Sequence, residues 1–217
     1  MHLELVELLR CPNPHAASVL VAASDRTSSR YVMEGVLGCP ECGAEYPIRA
    51  GVAIFSTAAN GADRSDALRD AGELALRVAA QLAMTEGRAV YALVTFDAGV
   101  ARKVRELVPA RLLLVNCDNV EALGDASAAL ANAPAGIVNS ANLFPLAVNK
   151  FDGIAFAAAP APELVDQAVM ALKSGGRLVA PAECAVPGGV TELVRDELEW
   201  VATRNSVASA PVGITRR

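Results

Sequence analysis

Apolar and polar positions divide this chain into two textures. In residues 2–10 the apolar positions Leu5, Val6, Leu8 and Leu9 predict a short helix that ends before Cys11. Two β-type runs follow, "SVLVAA" and "RYVMEGVL", separated by the turn-rich "SDRTSSR". The short strands "EYPI" and "GVAIF" flank Gly51, and the small β module stops near Phe55. The polar, small-residue stretch "STAANGADR" reads as a linker.

From Ser65 the period changes. "SDALRDAGELALRVAAQLAM" has helical spacing with Ser65 placed as its N-cap. Short apolar runs then alternate with helical segments. The runs are "RAVYALVTF", "RLLLVN", "AGIVNS", "FDGIAFAA" and "GGRLVAPA"; the helices are "AGVARKVREL", "NVEALGDASAALAN" and "PELVDQAVMALK". Continuous apolar runs between helices are what a buried parallel sheet requires, because such strands have no solvent face. A doubly wound α/β domain over residues 65–217 is therefore expected, after a module at 1–56 and a linker at 57–64. The spacing of "ELVRDELEWVATRN" predicts a final helix over 192–205, followed by strands in "ASAPVGITRR".

Just over half of the 217 residues are apolar, enough for a substantial core. The net charge of −5 divides as −2 over residues 1–56 (four basic, six acidic) and −3 over the rest. Neither part is a basic surface, so phosphate-driven nucleic-acid binding is not expected. "MHLELVELLR" is too acidic and too short for a secretory signal, and no apolar run approaches the ~20 residues of a membrane span. With five cysteines, only some at metal spacing, the expectation is a cytoplasmic chain with reduced thiols and no membrane association.

The chemistry that stands out lies in the module. Cys39 and Cys42 form a C-x-x-C knuckle, "CPECG", in which Gly43 lets the backbone turn its amides toward the sulfurs. Upstream, "LLRCPNPHAA" supplies Cys11 and His15, and the 23 residues between His15 and Cys39 allow a two-strand excursion. Three thiolates and an imidazole are a closed tetrahedral ligand set for zinc, with no position left for a substrate, so the metal would be structural. A module too small for its own core would draw much of its folding energy from that metal. A redox dithiol normally opens a helix after a strand, whereas β-type sequence follows this knuckle. Cys117 and Cys184 read as core or strand-end residues rather than nucleophiles.

The segment "LLRCPNPH…GVLGCPECGAEYPIRAGVAIF" resembles the small zinc-ribbon family whose best-known member activates tRNA methyltransferases. It departs from that pattern at two places. A second cysteine at a spacing of three is usual, whereas Asn13 and Pro14 intervene here and His15, at a spacing of four, is the nearest candidate; and Ala50 replaces the acid after "YPIR". Ribbons of this family occur fused to or paired with S-adenosylmethionine-dependent methyltransferases, and residues 65–217 are similar to that Rossmann-like fold. The similar segments are "KFDGIAFAAAP", "ELVDQAVMALKSGGRLVAPAE" and "LLLVNCD", with the closing "EWVATRN…APVGITRR" suited to antiparallel sixth and seventh strands. The resemblance implies S-adenosylmethionine as cofactor, Asp118 at the ribose hydroxyls, Ser140 at the position of the adenine-binding acid, and Gly99 as a remnant of the glycine turn.

The first strand fails that comparison. In "VYALVTFDAG", Ala92 falls at the acid and Val94, Phe96 and Ala98 fall at the three glycines; a shift by one restores only Gly99. Glycine is needed there because the cofactor lies against bare backbone. "AAAP" after the fourth run offers no amino-group-methylating side chain, although proximity alone can drive methyl transfer. The expectation is a methyltransferase-like protein, degenerate at its cofactor site, that serves as a binding or scaffold protein for a protein partner or its own homodimer. Two alternatives are an active methyltransferase with a remodelled pocket and a ribbon that docks RNA or protein.

Overall fold

The computed structural model describes residues 1–16, 18–56, 70–117, 135–140 and 144–206. A 3-10 helix, Leu3–Leu8, opens the chain, with the His2 side chain accepting from the Glu4 amide. Four strands follow: β1 (Val21–Ser28), β2 (Tyr31–Gly38), β3 (Glu45–Arg49) and β4 (Val52–Ile54). Next come α1 (Ala71–Gln81), β5 (Val90–Val94), α2 (Ala98–Leu107), β6 (Arg111–Val115), β7 (Ala135–Asn139) and β8 (Phe151–Phe156). The last elements are α3 (Pro162–Ala171), β9 (Leu172–Pro181), β10 (Val190–Arg195) and β11 (Glu199–Arg204).

All eleven strands lie in one sheet, in the order β1-β2-β3-β4-β7-β6-β5-β8-β9-β11-β10. Strands β4 to β9 run parallel, while β1–β3 and the β10/β11 hairpin are antiparallel additions at the two margins. From β5 onward this is the expected α/β arrangement, with antiparallel strands closing it. The order reverses between β5 and β8, which places a crevice at the carboxyl ends of those strands.

The parallel strands are buried on both faces, as their unbroken apolar runs predict. Along β5, Val90, Ala92 and Val94 enter one core while Tyr91 and Leu93 enter the other. Helices α1 and α2 cover the second core through Ala75, Val78, Val100 and Val104. Helix α3 covers the first through Val165, Ala168 and Val169.

That first core runs without a break into the N-terminal module. Leu5, Leu8, Leu9, Leu37, Ile48 and Phe55 belong to the same buried cluster as Phe151 and Trp200. Two features make the join. The first is the parallel pairing of β4 with β7, Val52 with Ile137, Ala53 with Val138 and Ile54 with Asn139, continued by the Phe55 amide on the Asn139 carbonyl at 2.8 Å. The second is the 3-10 helix lying on β6 and β7. A Cβ at Gly136 would come within 2.7 Å of Met1 Sδ and 3.1 Å of Leu5 Cδ1, so the bare glycine lets these side chains pack close on the strand. In its described part, residues 144–150, the crossover from β7 to β8 carries no helix. It bonds instead to the N-terminal segment: Arg10 N to Pro145 O at 2.9 Å and Ala147 N to Leu8 O at 2.7 Å. The 3-10 helix thus covers a sheet face that a crossover helix covers in a doubly wound fold.

Two expectations need correction. Residues 192–205 are not a helix: β10 and β11 form an antiparallel hairpin, and Asp196 Oδ1 accepts from the Leu198 and Glu199 amides in its turn. Pairing with β9 and full burial of Trp200 outweigh the helical spacing of that stretch. Helix α1 starts at Ala71 with Asp70 as its N-cap, Oδ1 accepting from Gly72 N at 2.8 Å; Ser65, the helix predicted over 119–132 and the strands predicted in 208–217 lie outside the described residues.

A shared core implies shared unfolding. Leu5→Ala should destabilise by about 2–5 kcal/mol, and because Trp200 is the single tryptophan, its fluorescence reports on the far side of the sheet. In urea, the Trp200 transition should move to lower concentration by the same free energy as the far-ultraviolet circular dichroism transition. A Trp200 transition that stays in place would show two independent units.

Candidate functional site

Two places hold chemistry-bearing groups: the cysteine–histidine cluster of the module and the tips of the parallel strands.

The cluster gathers Cys11, His15, Cys39 and Cys42, whose ligand atoms all lie within 4.8 Å of one another. The β1/β2 hairpin is the excursion that returns the chain from His15 to Cys39. Cys11 Sγ is 3.7 Å from Cys42 Sγ, and Cys39 Sγ is 3.5 Å from His15 Nε2. Ideal zinc bond lengths at the tetrahedral angle require about 3.8 Å between two sulfurs and about 3.6 Å between sulfur and nitrogen. Both distances therefore match the edges of a zinc-sized tetrahedron.

The surroundings suit ionised sulfur. Gly43 adopts φ +69°, which closes the knuckle with Gly43 N donating to Cys39 O at 2.9 Å. The Ala44 amide and the Asn13 side-chain amide donate to Cys42, bringing its thiol down to about 6. Burial pushes the Cys39 thiol up, but amides of Cys42 and Glu41 donate to it and hold it below its ordinary value. Burial raises the Cys11 thiol, opposed by the Tyr46 hydroxyl 3.2 Å from its sulfur. Tyr46 is itself held by stacking on Phe55, with ring centroids 4.5 Å apart. His15 Nδ1 donates to the Ala16 carbonyl at 2.6 Å, which raises its basicity, and Glu41 Oε2 is 3.4 Å from the same nitrogen. That proton placement leaves Nε2 to face the sulfurs, as in the carboxylate–histidine–metal arrangement. Asn13, Glu41 and Tyr46 are participants that spacing alone does not reveal.

At the other place, β5 gives way to α2 through Thr95, Phe96 and Asp97. Thr95 has φ +62°, a left-handed conformation that a β-branched residue rarely adopts, and its Oγ1 donates to Val94 O at 2.6 Å. Phe96 and Ala98 are buried in the core beneath α1 and α2, and Val94 in the core of Trp200. Gly99 is the second residue of α2, and its amide donates to Asp97 Oδ1 at 2.6 Å. The N-terminus of α2, a ready anion site in a nucleotide-binding fold, is thus capped by the chain's own carboxylate.

The neighbouring tips are joined to each other. Asn116, at φ +52° just past β6, accepts from Ser140 N at 2.6 Å and donates Nδ2 to Ser140 O at 2.8 Å. Ser140 is buried and both of its main-chain polar groups meet Asn116. Asp118 lies outside the described residues. The side chain found at the tip of the second parallel strand is Asn116, and the only sequence signal for it is an asparagine's tolerance of the left-handed region. A cavity of about 270 Å³ opens at the opposite, amino-terminal end of the parallel strands, lined by Tyr91, Asp152, Lys173 and Arg177 among others; there Lys173 pairs with Asp152 at 2.7 Å.

No protein-family model matches the chain, and no curated protein matches it. Solved structures give weak likenesses. A protein described as an S-adenosyl-L-methionine-dependent methyltransferase of Methanococcus maripaludis is similar at 12% identity and TM-score 0.46, over 64% of this chain and 87% of that one. Geranyl diphosphate C-methyltransferase from Streptomyces coelicolor A3(2) gives 14% and 0.42, over 50% and 42%. Phosphoethanolamine N-methyltransferase 2 from Haemonchus contortus gives 15% and 0.42, over 54% and 30%. The match thus spans less than half of the length of the last two, and likeness at this level carries nothing about activity. Among the described residues no helix is long and apolar enough to cross a membrane.

The clasp at the strand tips makes its own prediction. Asn116→Ala strands two buried main-chain groups of Ser140 and should cost roughly 2–4 kcal/mol. Urea denaturation measures it; a change below about half of the lower figure would mean that water or a neighbour replaces the amide.

Proposed function

We propose that this chain is a methyltransferase-fold protein whose cofactor site is closed by its own groups, that it carries a structural zinc ion, and that it acts as a binding or scaffold protein. The observation that carries the reading is the end of β5. The turn where a cofactor would meet bare glycine carries side chains instead: Thr95 bonds back to Val94 O, Phe96 packs into the core beneath α1 and α2, and the Asp97 carboxylate caps α2 from within. The Asn116–Ser140 clasp adds to it by engaging the main chain at the position of the adenine-binding acid. A protein partner or a second copy of the chain is the expected ligand, in keeping with the weakly acidic surface, and reduced thiols suit the cytoplasm.

One observation favours the second reading, an active methyltransferase with a remodelled pocket. Thr95 adopts a left-handed conformation of the kind a glycine supplies in such a turn. Calorimetric titration with S-adenosylmethionine and S-adenosylhomocysteine separates the two. No heat of binding is expected. Micromolar affinity that falls on the order of tenfold in Asp118→Ala would establish the second reading instead.

The Cys3His set and its tetrahedral spacing select zinc over harder cations. Cys11, His15, Cys39 and Cys42 would hold the ion, which would link the N-terminal segment to the knuckle and leave no position open for chemistry. Purified chain should contain one zinc per molecule by elemental analysis. Cys39→Ala should remove it and lower the thermal midpoint, and chelation of the native chain should do the same. Full stability of the metal-free chain would refute a structural role.

A further inference from the structure

We propose that the metal centre is also an oxidation site, at which hydrogen peroxide converts Cys42 and Cys11 into a disulfide and so releases the metal. The inference rests on the zinc reading above and adds a modification to it.

The four ligands are not equally sheltered. Cys11 and Cys39 are buried, at 4% and 3% exposure, and His15 is half-buried, whereas Cys42 is exposed. Of the three thiolates, only Cys42 therefore meets an oxidant arriving from solvent. It sits on the exposed knuckle of residues 40–43, where a Cβ built at Gly43 would meet nothing within 4 Å, so the approach from solvent is open. Cys11 stands behind it, fixed by the 3-10 helix on one side and Tyr46 on the other, its sulfur 3.7 Å from that of Cys42. A disulfide needs about 2.0 Å, so a shift of less than about 2 Å between the two sulfurs closes the bond. Cys39 also lies within reach of Cys42, but its sulfur is 3.5 Å from His15 Nε2 and takes the amides of Cys42 and Glu41, so it is the more firmly held of the two candidate partners. Cys117 is buried elsewhere, and Cys184 lies beside Trp200, whose indole donates to its carbonyl.

The chemistry balances with one peroxide. The Cys42 thiolate attacks a peroxide oxygen, the O–O bond breaks, hydroxide leaves and Cys42 becomes a sulfenic acid. The Cys11 thiolate then attacks the Cys42 sulfur, the S–S bond forms, the S–O bond breaks and a second hydroxide leaves. The two thiolates lose two electrons, the peroxide gains them, and solvent protons convert both hydroxides to water. The Tyr46 hydroxyl, within hydrogen-bonding reach of Cys11, supports the thiolate that performs the second step. With only Cys39 and His15 left, the metal dissociates, while the new cross-link ties the same two segments. A dithiol reductant with zinc reverses the sequence.

The test uses the zinc-loaded full chain treated with one equivalent of hydrogen peroxide. Zinc release is followed with a chromogenic chelator, the intact mass is recorded, and peptides are mapped without reduction. Expected are release of the zinc, loss of two hydrogens and a Cys11–Cys42 peptide, all reversed by dithiothreitol and zinc. Cys184→Ser should respond as the parent does, and Cys42→Ser should give no cross-link at Cys11. Retained zinc, a Cys39–Cys42 bridge, or a sulfinic acid on Cys42 without a cross-link each overturns the proposal. If the chain takes up no zinc at all, the zinc reading fails by itself. Peptide mapping of that same chain still decides the pairing, because it depends on the thiols alone.

Discussion

The structure depends on a short parallel ladder between β4 and β7 and on the hydrocarbon packed beneath it. Without that ladder, residues 1–56 would be a hairpin pair and a 3-10 helix, too small to bury an adequate core. Without the module, β7 would be an exposed parallel edge, and Leu113 and Gly136 would lose the cover of Met1 and Leu5. Each part therefore completes the other. The consequence reaches the cysteine–histidine cluster, because Cys11 and Cys39 belong to the same buried cluster as Trp200. Zinc there would reinforce the margin of a large core rather than supply the only stabilisation of a small one.

The strand tips show the opposite use of polar groups. In a doubly wound sheet the crevice where the strand order reverses is a ligand site because backbone amides and a helix N-terminus remain available there. In this chain Asp97 takes the amide of Gly99 at the start of α2, and at the neighbouring tips Asn116 takes both main-chain groups of Ser140. Left-handed conformations at Thr95 and Asn116 normally cost free energy, and they persist because the surrounding contacts outweigh that cost. A purely structural account of these tips is that every buried polar group must find a partner. That account is compatible with the proposed loss of a ligand, since a group satisfied from within is no longer offered to a guest.

The sequence makes most of this legible where one force dominates. Unbroken apolar runs such as Val90–Val94 and Leu112–Val115 demand burial on both faces, and they are parallel strands. Helix α2 occupies the ten residues of "AGVARKVREL" that spacing alone predicts. The convergence of Cys11, His15, Cys39 and Cys42 is legible because thiols and imidazole at knuckle spacing have few other uses. What is not legible depends on tertiary partners. The helical spacing of residues 192–205 yields to pairing with β9 and to burial of Trp200. The join of β4 to β7 has no local signature, since "GVAIF" reads the same for a free edge as for a paired strand. Asn116 looks like an ordinary loop residue until its amide is seen to meet Ser140.

One chain of contacts connects the two places. Cys11 follows Leu8, Leu9 and Arg10, whose main chain bonds to the segment 145–147 leaving β7. The same 3-10 helix rests on Gly136 of β7 and approaches Leu113 of β6, the two strands whose tips Asn116 and Ser140 fasten. A metal held by Cys11 would therefore fix the cover over the strands whose tips carry Asn116 and Ser140. This coupling needs no signal transmitted through the molecule. It follows from continuous packing, because a close-packed core does not yield at one margin without a cost along its whole length.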